Sequence, residues 1–531
     1  MKYNNKPSFR GEKSFKTLEL KIDQIDIAEH DGNSVTISGI VDSIAQTTGP
    51  TLFSVVDGSG TLVLKGFDGP GVRAYPNINE GDAIKAVVKI KEFQDSIEGE
   101  IRTIQQLDKS ASEKLKEDIA KNERERAKVK SIPFLVEDPI LVKLKDKFIE
   151  AATEVKLAII KNRPIIIRHH NDCDGYSAGY SLERAIIPLI VKQHGGGKSP
   201  WEYYTRAPCQ APFYEIEDSI KDTANSLSAV AKFSNKMPLI LIVDNGSSPE
   251  DLMAIKQGKI HGADFIVVDH HYFDEDVISK EVLTHINPFL VGEDGKRYSA
   301  GMLCTELARF INPVENIDHI PALSGLADRI DNEKSINEYI KIAEKRGYTK
   351  PLLQDIATLI DFVSAKLRFM QAREYIEVVF GNPVDRQKEL VSLMAPHVRK
   401  LEAKGLEIAK SAAKTEKIKD ITIQLLFVEE TFPRGSYPKP GRSTGMLHDF
   451  LIKEKNLVKV VSIGVLADLI TIRATEESKF SVHELIAFLK KKVPQAFIEG
   501  GGHHLAGAIK FVPSQRQNVL DNTRKYIDSL K

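Results

Sequence analysis

Three patterns of apolar and polar residues follow one another along the chain. Residues 18–107 form short segments in which apolar and polar positions alternate, as in half-buried strands, and turn residues separate these segments. From residue 132 to about residue 332, short apolar runs alternate with helical patterns, which predicts a parallel sheet with crossover helices. Amphipathic helical patterns follow, and a second mixed pattern begins at Asp420. The predicted fold class is multidomain α/β.

The changes of pattern divide the chain into parts. We predict an N-terminal β-barrel at 17–107, a charged helical connector at 108–131, a parallel-sheet domain at 132–332, a helical insertion at 333–418 and a C-terminal α/β domain at 419–531. For the insertion, we favour a role as a structural cap or as a surface for homo-oligomers over a role in contacting nucleic acid. Residues 1–16 are polar and expected to be loose. The loop 433–445 is rich in proline, glycine and basic residues such as Arg434, and is expected to be mobile.

The predicted barrel contains a hairpin of informative sequence. Asp57-Gly58-Ser59-Gly60 joins two apolar strands, and the segment FSVVDGSGTLVLKGF resembles the central hairpin of nucleic-acid-binding OB-folds. Such folds bind single strands by stacking bases on aromatic rings and by placing cations near the phosphates. This resemblance predicts nucleic-acid contacts for Phe53, Lys65, Phe67 and Phe93. The sequence leaves open the alternative that the aromatic residues belong to the barrel core.

Composition and charge narrow the class of protein. Lys and Arg together number 74, and so do Asp and Glu, so any binding of nucleic acid must depend on local patches. The three cysteines lack CxxC spacing, which argues against a disulfide framework and a structural zinc site. The N-terminus has no secretory pattern, and no apolar run reaches membrane-spanning length. We expect a cytoplasmic protein without membrane association.

The segment IIIRHHNDCDG at 165–175 is the first candidate site. Three isoleucines form a short apolar run typical of a strand buried on both faces. His170, Asp172 and Asp174 follow at alternate positions, and Gly175 comes next. Imidazole and carboxylate groups crowded at the end of a buried strand would repel one another or stay without partners unless a cation lies among them. The segment therefore predicts ligands for a divalent cation.

Asp and His residues also follow other predicted elements. Asp244 follows the apolar run 238–243, the sequence Asp269-His270-His271 follows the run 265–268, and Asp328 lies downstream in LADRID. In parallel sheets, the carboxyl ends of the strands meet at one edge, where ligands bind. Because consecutive predicted strands bring Asp and His residues to that edge, we predict a metal site there.

Taken in order, these motifs resemble a known superfamily. HNDCDG, DNGS, DHH and LADRID resemble the four motifs of the DHH phosphoesterases, and Ile286-Asn287-Pro288 and Ser299-Ala300-Gly301 also fit. The stretch GGGHHLAGA at 500–508 resembles the glycine-rich motif of the DHH-associated C-terminal domain. With a barrel before these motifs and a helical insertion between them, the chain looks most like the archaeal RecJ-like exonucleases of the Hef-associated nuclease type.

The resemblance implies a role for each matching residue. It implies two divalent cations, and a mixed histidine and carboxylate set suits Mn²⁺, with Mg²⁺ as the alternative. Asp244 would bridge the two cations, His271 would contact the scissile phosphate or complete the ligand shell of a cation, and Asp269 would orient a histidine. The implied metal ligands are His170, Asp172, Asp174, Asp244, His270 and Asp328. The implied substrate contacts are Arg473, Gly500, Gly501, Gly502, His503 and His504.

The resemblance also implies a class of activity. It implies an exonuclease that hydrolyses single-stranded DNA or RNA, with a slight preference for the 3′→5′ direction, and repair or replication proteins such as a helicase as partners. One alternative is a phosphodiesterase that acts on oligonucleotides or cyclic dinucleotides. A second is a replication or repair scaffold without catalysis. The complete ligand set favours an enzyme over the scaffold.

Overall fold

The computed structural model divides the chain into two compact units. The first is built from the residues up to Ala127 and a short segment at 229–235, and the second from the remaining residues. The structure describes residues 17–93, 96–194, 196–209, 211–233, 236–367, 372–433 and 435–530. The predictions for residues 1–16 and for Arg434 lie outside these ranges. No helix among the described residues is long and apolar enough to cross a membrane.

A closed barrel forms most of the first unit. Strand β2 pairs with β3, β3 with β4, β4 with β6, β6 with β5, and β5 pairs back with β2, which closes a ring of five strands. Alternating apolar positions face the barrel core, so the predicted fold class is confirmed for this part. The elements are β1 (Leu18–Glu19), α1 (Ile27–His30), β2 (Ser34–Gln46), β3 (Thr51–Val56), β4 (Thr61–Gly66), β5 (Ala83–Phe93), β6 (Ser96–Gln106) and α2 (Lys109–Ala127).

The four residues predicted to contact nucleic acid separate into core and surface. Phe53 is fully buried, because its position in β3 is one of those that point into the barrel. The prediction for Phe53 is therefore wrong. Phe67 and Phe93 are exposed, at 66% and 51% of their surface. The ammonium group of Lys65 lies 4.1 Å from the centre of the Phe93 ring and is paired with Glu98.

A parallel sheet opens the second unit. Its five strands lie in the order β11-β10-β9-β7-β8, and every neighbouring pair is parallel. All residues of β7 and β9 are buried, as expected for strands covered by helices on both faces. The elements are α3 (Pro139–Ile160), β7 (Ile165–His169), α4 (Cys173–His194), α5 (Ser199–Glu202), β8 (Tyr204–Pro208), α6 (Ile216–Phe233), β9 (Leu239–Val243), α7 (Leu252–Ile260), β10 (Asp264–Val268), β11 (Thr284–Ile286), α8 (Ala300–Ile311) and α9 (Ile320–Ala327).

Helices and a second sheet complete this unit. The helical insertion comprises α10 (Glu333–Lys345), α11 (Lys350–Lys366), α12 (Arg373–Val379) and α13 (Val384–Ala412). The C-terminal elements are β12 (Lys414–Ile418), β13 (Ile421–Phe427), α14 (Val428–Thr431), α15 (Pro440–Lys453), β14 (Val460–Val465), β15 (Leu469–Ala474), α16 (Val482–Lys492), β16 (Glu499–His503), β17 (Ala506–Lys510) and α17 (Arg516–Ser529). Their sheet has the order β12-β13-β14-β15-β17-β16, so the glycine-rich motif forms an edge strand.

The segment predicted as a mobile loop is held by specific contacts. Helix α15 already begins at Pro440, so the second half of the loop is helical. The hydroxyl of Tyr437 donates a hydrogen bond of 2.9 Å to Glu402 on α13, and Arg442 donates one of 2.8 Å to the same carboxylate. Side chains of the helical insertion therefore supply hydrogen-bond partners for the described part of this loop, and its mobility stays a prediction.

Candidate metal centre and substrate cleft

The predicted metal ligands come from the ends of buried elements. His170 and Asp172 follow β7 directly, and Asp174 lies in the first turn of α4. Asp244 follows β9, and Asp269, His270 and His271 follow β10. Asp328 forms the C-terminal cap of α9. Because β7, β9 and β10 are parallel neighbours, their carboxyl ends bring these residues to one edge of the sheet.

The ligand atoms form two adjoining groups of three. In one group, His170, Asp172 and Asp244 each offer an atom within 4.8 Å of the others. In the second group, Asp174, His270 and Asp328 meet the same limit. Within them, His170 Nδ1 lies 2.9 Å from Asp172 Oδ2, and His270 Nε2 lies 3.5 Å from Asp174 Oδ2. The structure therefore brings together all the predicted metal ligands.

Asp244 connects the two groups through its two carboxylate oxygens. Oδ1 lies 3.3 Å from His270 Nε2, and Oδ2 lies 3.6 Å from His170 Nδ1. The backbone of Asp244 has a left-handed φ of +59°, a conformation uncommon for residues other than glycine and frequent at functional sites. This backbone geometry directs one buried carboxylate between two sets of ligands.

The electrostatics of the cluster fit a bound cation. Burial, and then the nearby carboxylates of Asp174 and Asp172, raise the pKa of Asp244 well above its usual value. Burial is also the main reason that the pKa of Asp328 rises to about 7. Asp244 Oδ2 is buried and has no hydrogen-bond partner among the described residues. A divalent cation would neutralise the crowded carboxylates and coordinate this oxygen, so the donor set fits hard or borderline metals.

Hydrogen bonds fix the orientation of both histidines of the DHH motif. His270 Nδ1 lies 3.1 Å from the carbonyl oxygen of Gly295 and must donate to it, which leaves Nε2 directed at the cluster. His271 Nδ1 lies 2.8 Å from Asp269 Oδ1 and donates to that carboxylate. Burial alone would raise the pKa of Asp269, but the His271 ring and further hydrogen bonds outweigh burial and lower it. This geometry is consistent with the predicted orienting role of Asp269.

Backbone groups at the start of α8 hold the carboxylate of Asp174. The N–H groups of Ala300 and Gly301 donate to it at 2.8 and 2.7 Å, and the hydroxyl of Ser324 donates as well. The partial positive charge of the helix N-terminus adds to these bonds. This arrangement gives a physical reason for the Ser299-Ala300-Gly301 motif.

The Ile286-Asn287-Pro288 motif has a comparable role. The amide of Asn287 donates hydrogen bonds of 3.0 Å to Ser247 Oγ and to the carbonyl oxygen of His271. It therefore ties the loop after β9 to the loop after β10.

Two residues beside the cluster act through packing. A Cβ on Gly175 would lie 2.2 Å from the carbonyl oxygen of His170, so glycine is required here because α4 begins so close to the end of β7. Gly175 lies inside α4, and not at a turn that leads the chain away from β7. His169 is fully buried, and burial lowers its pKa to about 3. A neutral, buried His169 is consistent with a structural role.

The predicted substrate-binding residues lie at different distances from the cluster. His503 stacks on His271 with ring centres 4.7 Å apart, and its Nε2 lies 3.9 Å from Asp328 Oδ2. Arg473 on β15 is half-buried, and burial and then the nearby Arg329 lower its pKa. His504 is exposed and directs Nδ1 towards Ser481 Oγ, 3.3 Å away. The structure therefore brings His503, but not His504, into contact with the histidines of the cluster.

The glycine-rich motif forms one wall of a cleft. His271 and Asp269 lie on the opposite wall, and the cavity between them has a volume of about 160 Å³. This is more than ten times the roughly 10–15 Å³ that one water molecule needs. His271 and Asp269, which neighbour the ligand His270 in the chain, and the glycine motif therefore line a common cavity.

Lys439 is a residue near the cluster that the sequence did not identify. Its ammonium group donates hydrogen bonds of 2.8 Å to the carbonyl oxygen of Asn171 and 2.6 Å to Ser364 Oγ. Lys439 is also one of the groups that, with His170, outweigh burial and lower the pKa of Asp172. The sequence shows only a basic residue in a Pro/Gly-rich loop, and no local pattern indicates that it reaches the metal-ligand loop.

Comparison with known proteins identifies the relatives of this chain. The sequence matches no family model. It is 33% identical to an uncharacterised protein of Methanocaldococcus jannaschii, over 98% of this chain and 72% of that protein. The solved DHH domain of a member of a ribosomal protein family is 34% identical, with a TM-score of 0.73 over 80% of this chain and 99% of that chain.

A more distant match supports the same fold. A solved exonuclease RecJ bound to manganese is 15% identical, with a TM-score of 0.50 over 75% of this chain and 97% of that chain. At this identity the likeness concerns the fold alone. The motifs, the arrangement of the cluster and the DHH domain that is 34% identical agree, and the chain belongs to the DHH superfamily.

Proposed function

We propose that this protein is a metal-dependent phosphodiesterase that acts as an exonuclease on single-stranded DNA or RNA. The observation that supports this proposal most directly is the position of Asp244 between two groups of ligands. Two adjacent groups that share a carboxylate are the usual arrangement of two-metal phosphoesterase sites. Mn²⁺ suits the mixed histidine and carboxylate set, with Mg²⁺ as the alternative.

The side chains around the cluster have separate tasks in this proposal. When bound, the cations would lower the pKa of a water molecule and neutralise charge on the phosphate. His271 donates its Nδ1 proton to Asp269, so Nε2 is the atom left to contact the scissile phosphate. Burial and then His271 lower the pKa of His503 well below its usual value, so its ring is neutral near pH 7. A neutral ring can orient a phosphate. It does not compete with the cations for the nearby carboxylates, because it carries no positive charge.

The choice of single strands depends on the barrel. Phe67 and Phe93 offer exposed rings for stacking bases, which is the sequence-tolerant mode of single-strand binding. The lysines of this surface are paired with carboxylates, Lys65 with Glu98 and Lys91 with Glu100. Stacking would therefore contribute more to the affinity than unpaired positive charge. From the resemblance to Hef-associated nucleases, we infer a 3′→5′ direction.

Digestion of end-labelled oligonucleotides tests this proposal. With Mn²⁺, we expect single-stranded DNA or RNA labelled at the 5′ end to give a ladder of progressively shorter products, and EDTA should abolish the reaction. A substrate labelled at the 3′ end should release the labelled mononucleotide first. Cleavage that resists EDTA would contradict the metal assignment, and complete absence of cleavage would favour the non-catalytic scaffold. Turnover of dinucleotides alone would favour an oligonucleotide phosphodiesterase.

Replacing the exposed aromatic residues of the barrel should separate binding from catalysis. In the full-length protein, the double variant Phe67→Ala and Phe93→Ala should bind a long single strand at least about 30-fold more weakly, since stacking contributes roughly 1–3 kcal/mol for each of the two bases. Cleavage of a dinucleotide should be unchanged. Fluorescence anisotropy measures the first effect, and product chromatography measures the second.

An exposed apolar residue on the same unit provides the control. Leu18 is exposed at 63% of its surface but has no aromatic ring, so Leu18→Ala should leave the affinity for the long strand unchanged. Equal losses for long strands and dinucleotides in the double variant would contradict a role of the barrel in binding.

A further inference from the structure

The cavity beside the metal cluster is a groove. Its lining comes from the loops that follow β9 and β10, from α16 and from β16. The lining residues include His271, Tyr272, His483 and Ile486. Because His271 borders both the ligand cluster and the groove, a ligand whose phosphate lies at the cluster would place its next chemical group in the groove.

The three glycines of the motif differ in what their surroundings require. A Cβ on Gly500 would lie 2.6 Å from the carbonyl oxygen of Ala508, and one on Gly502 would lie 2.6 Å from that of Ala506. These two glycines are needed because β16 packs against β17. A Cβ on Gly501 would meet no atom of the described residues within 4 Å, although the residue is buried and borders the groove. The fold does not need glycine at 501, and its absent side chain leaves open space in the groove.

Aromatic rings form the wall of the groove beyond these glycines. The rings of Tyr272 and His483 lie with their centres 4.9 Å apart. The hydroxyl of Tyr272 donates a hydrogen bond of 2.6 Å to Asp274, which restrains the ring. His483 Nε2 is buried and has no hydrogen-bond partner in the part of the chain that the structure describes. Flat rings together with an unused imidazole nitrogen are suited to a planar heterocycle with polar atoms on its edge.

The charges around the groove distinguish two possible occupants, a continuing nucleic-acid strand and a single nucleoside. Lys490 is the one lysine or arginine among the described residues that line it, and it is paired with Glu250 at 3.0 Å. The carboxylates of Asp251, Asp269 and Asp274 also line the groove. A path for several phosphates requires a positively charged groove. An uncharged nucleoside requires stacking and hydrogen bonds but no cations, and so fits these surroundings better than a continuing strand.

We infer that the groove binds the single nucleoside attached to the phosphate at the metal cluster, with its sugar over Gly501 and its base against Tyr272 and His483. This inference rests on the proposed phosphodiesterase function. It adds that the enzyme recognises the base at the cleaved end of the substrate. Sugar phosphates without a base therefore bind less tightly than nucleotides.

Calorimetric binding of two small probes tests this inference. In the presence of Mn²⁺, adenosine 5′-monophosphate should bind the full-length protein at least about tenfold more tightly than ribose 5-phosphate, because only the first carries a base to stack. Tyr272→Ala should remove this difference without changing the affinity for ribose 5-phosphate. Tyr272→Phe should keep the difference, since it retains the ring.

Glycine variants provide a matched comparison. Gly501→Val should leave the melting temperature unchanged and weaken the binding of adenosine 5′-monophosphate by at least about tenfold, because the new side chain occupies the groove and its Cβ meets no described atom within 4 Å. Gly196 also has open space around its Cβ position and lies outside the groove, so Gly196→Val should leave both affinities unchanged.

The outcomes distinguish failure of the groove assignment from failure of the proposed function. If the wild-type protein cleaves single strands but binds both probes equally, or if Gly501→Val keeps the difference between them, the assignment of the groove is wrong. If the wild-type protein binds neither probe and cleaves no strand with Mn²⁺, the phosphodiesterase function fails, and the groove assignment fails with it.

Discussion

Asp244→Asn is expected to lower phosphodiester hydrolysis by at least about a thousandfold. The substitution keeps the size of the side chain and removes the negative charge that faces both groups of ligands. Bound cations contribute several kcal/mol of transition-state stabilisation in such sites, and each 1.36 kcal/mol corresponds to a factor of ten in rate. Steady-state hydrolysis of a dinucleotide with Mn²⁺ measures the loss.

Thermal unfolding shows whether this loss reflects metal binding. Burial and nearby carboxylates already disfavour the charged form of Asp244 in the metal-free protein, so a neutral amide should not lower its melting temperature. Mn²⁺ should raise the melting temperature of the wild-type protein, because a ligand that binds only the folded state stabilises it. The same addition should have little effect on Asp244→Asn.

Asp264 offers a control on the neighbouring strand. It lies at the opposite end of β10 from the ligands and pairs with Arg163 at 2.5 Å. Asp264→Asn should keep both hydrolysis and the stabilisation by Mn²⁺. Near-normal hydrolysis by Asp244→Asn would contradict the assignment of the metal centre, whatever the result for the control.

Arg168→Met is expected to be the most destabilising of the changes considered, at about 3–5 kcal/mol. Arg168 lies on β7, is buried, and donates hydrogen bonds to Asp222 at 2.5 and 2.9 Å. It also lies 3.4 Å from Asp218, which is itself fully buried. Its removal takes the donated hydrogen bonds and the positive charge away from the buried carboxylate of Asp222, and the neutral hydroxyl of Tyr214, which also donates to Asp222, does not replace that charge.

Native-state hydrogen exchange is the appropriate measurement, because one global unfolding free energy is poorly defined for a chain of several domains. Amides of β7 and β9 should exchange with an opening free energy about 3–5 kcal/mol lower in Arg168→Met. Arg346 pairs with Asp318 at 2.8 Å but is exposed at 56% of its side chain. Arg346→Met should therefore change the opening free energy by at most about 1 kcal/mol. Similar effects of the two substitutions would contradict the importance of burial.

Local sequence was sufficient to predict most elements of secondary structure. The apolar runs 238–243 and 265–268 coincide with β9 and β10 to within one residue, and β7 follows from three isoleucines in succession. These elements have a clear period of apolar residues, which depends only on near neighbours in the chain. β8 and β11 were missed, since a short strand such as Thr284–Ile286 contains too few residues to show a period.

Whether a residue faces the core or the solvent was harder to predict from the sequence. Phe53 and Phe67 lie in one hairpin, and both were expected at a binding surface. Only closure of the barrel decides that Phe53 points inward and that Phe67 stays exposed. The glycine motif shows the same limit. Its sequence does not indicate a strand, and only pairing with β17 makes it one.

The sequence by itself determined which residues are the candidate metal ligands, because most of them follow an element whose end the apolar pattern marks. The tertiary structure decided how these residues meet. The two oxygens of Asp244 face different histidines, α8 holds Asp174 from 126 positions away in the chain, and Lys439 reaches Asn171 from 268 positions away. Contacts between residues so distant in the chain leave no local period, since they depend on how whole elements pack. The groove beyond Gly501 exists for the same reason, because its walls come from different parts of the second unit.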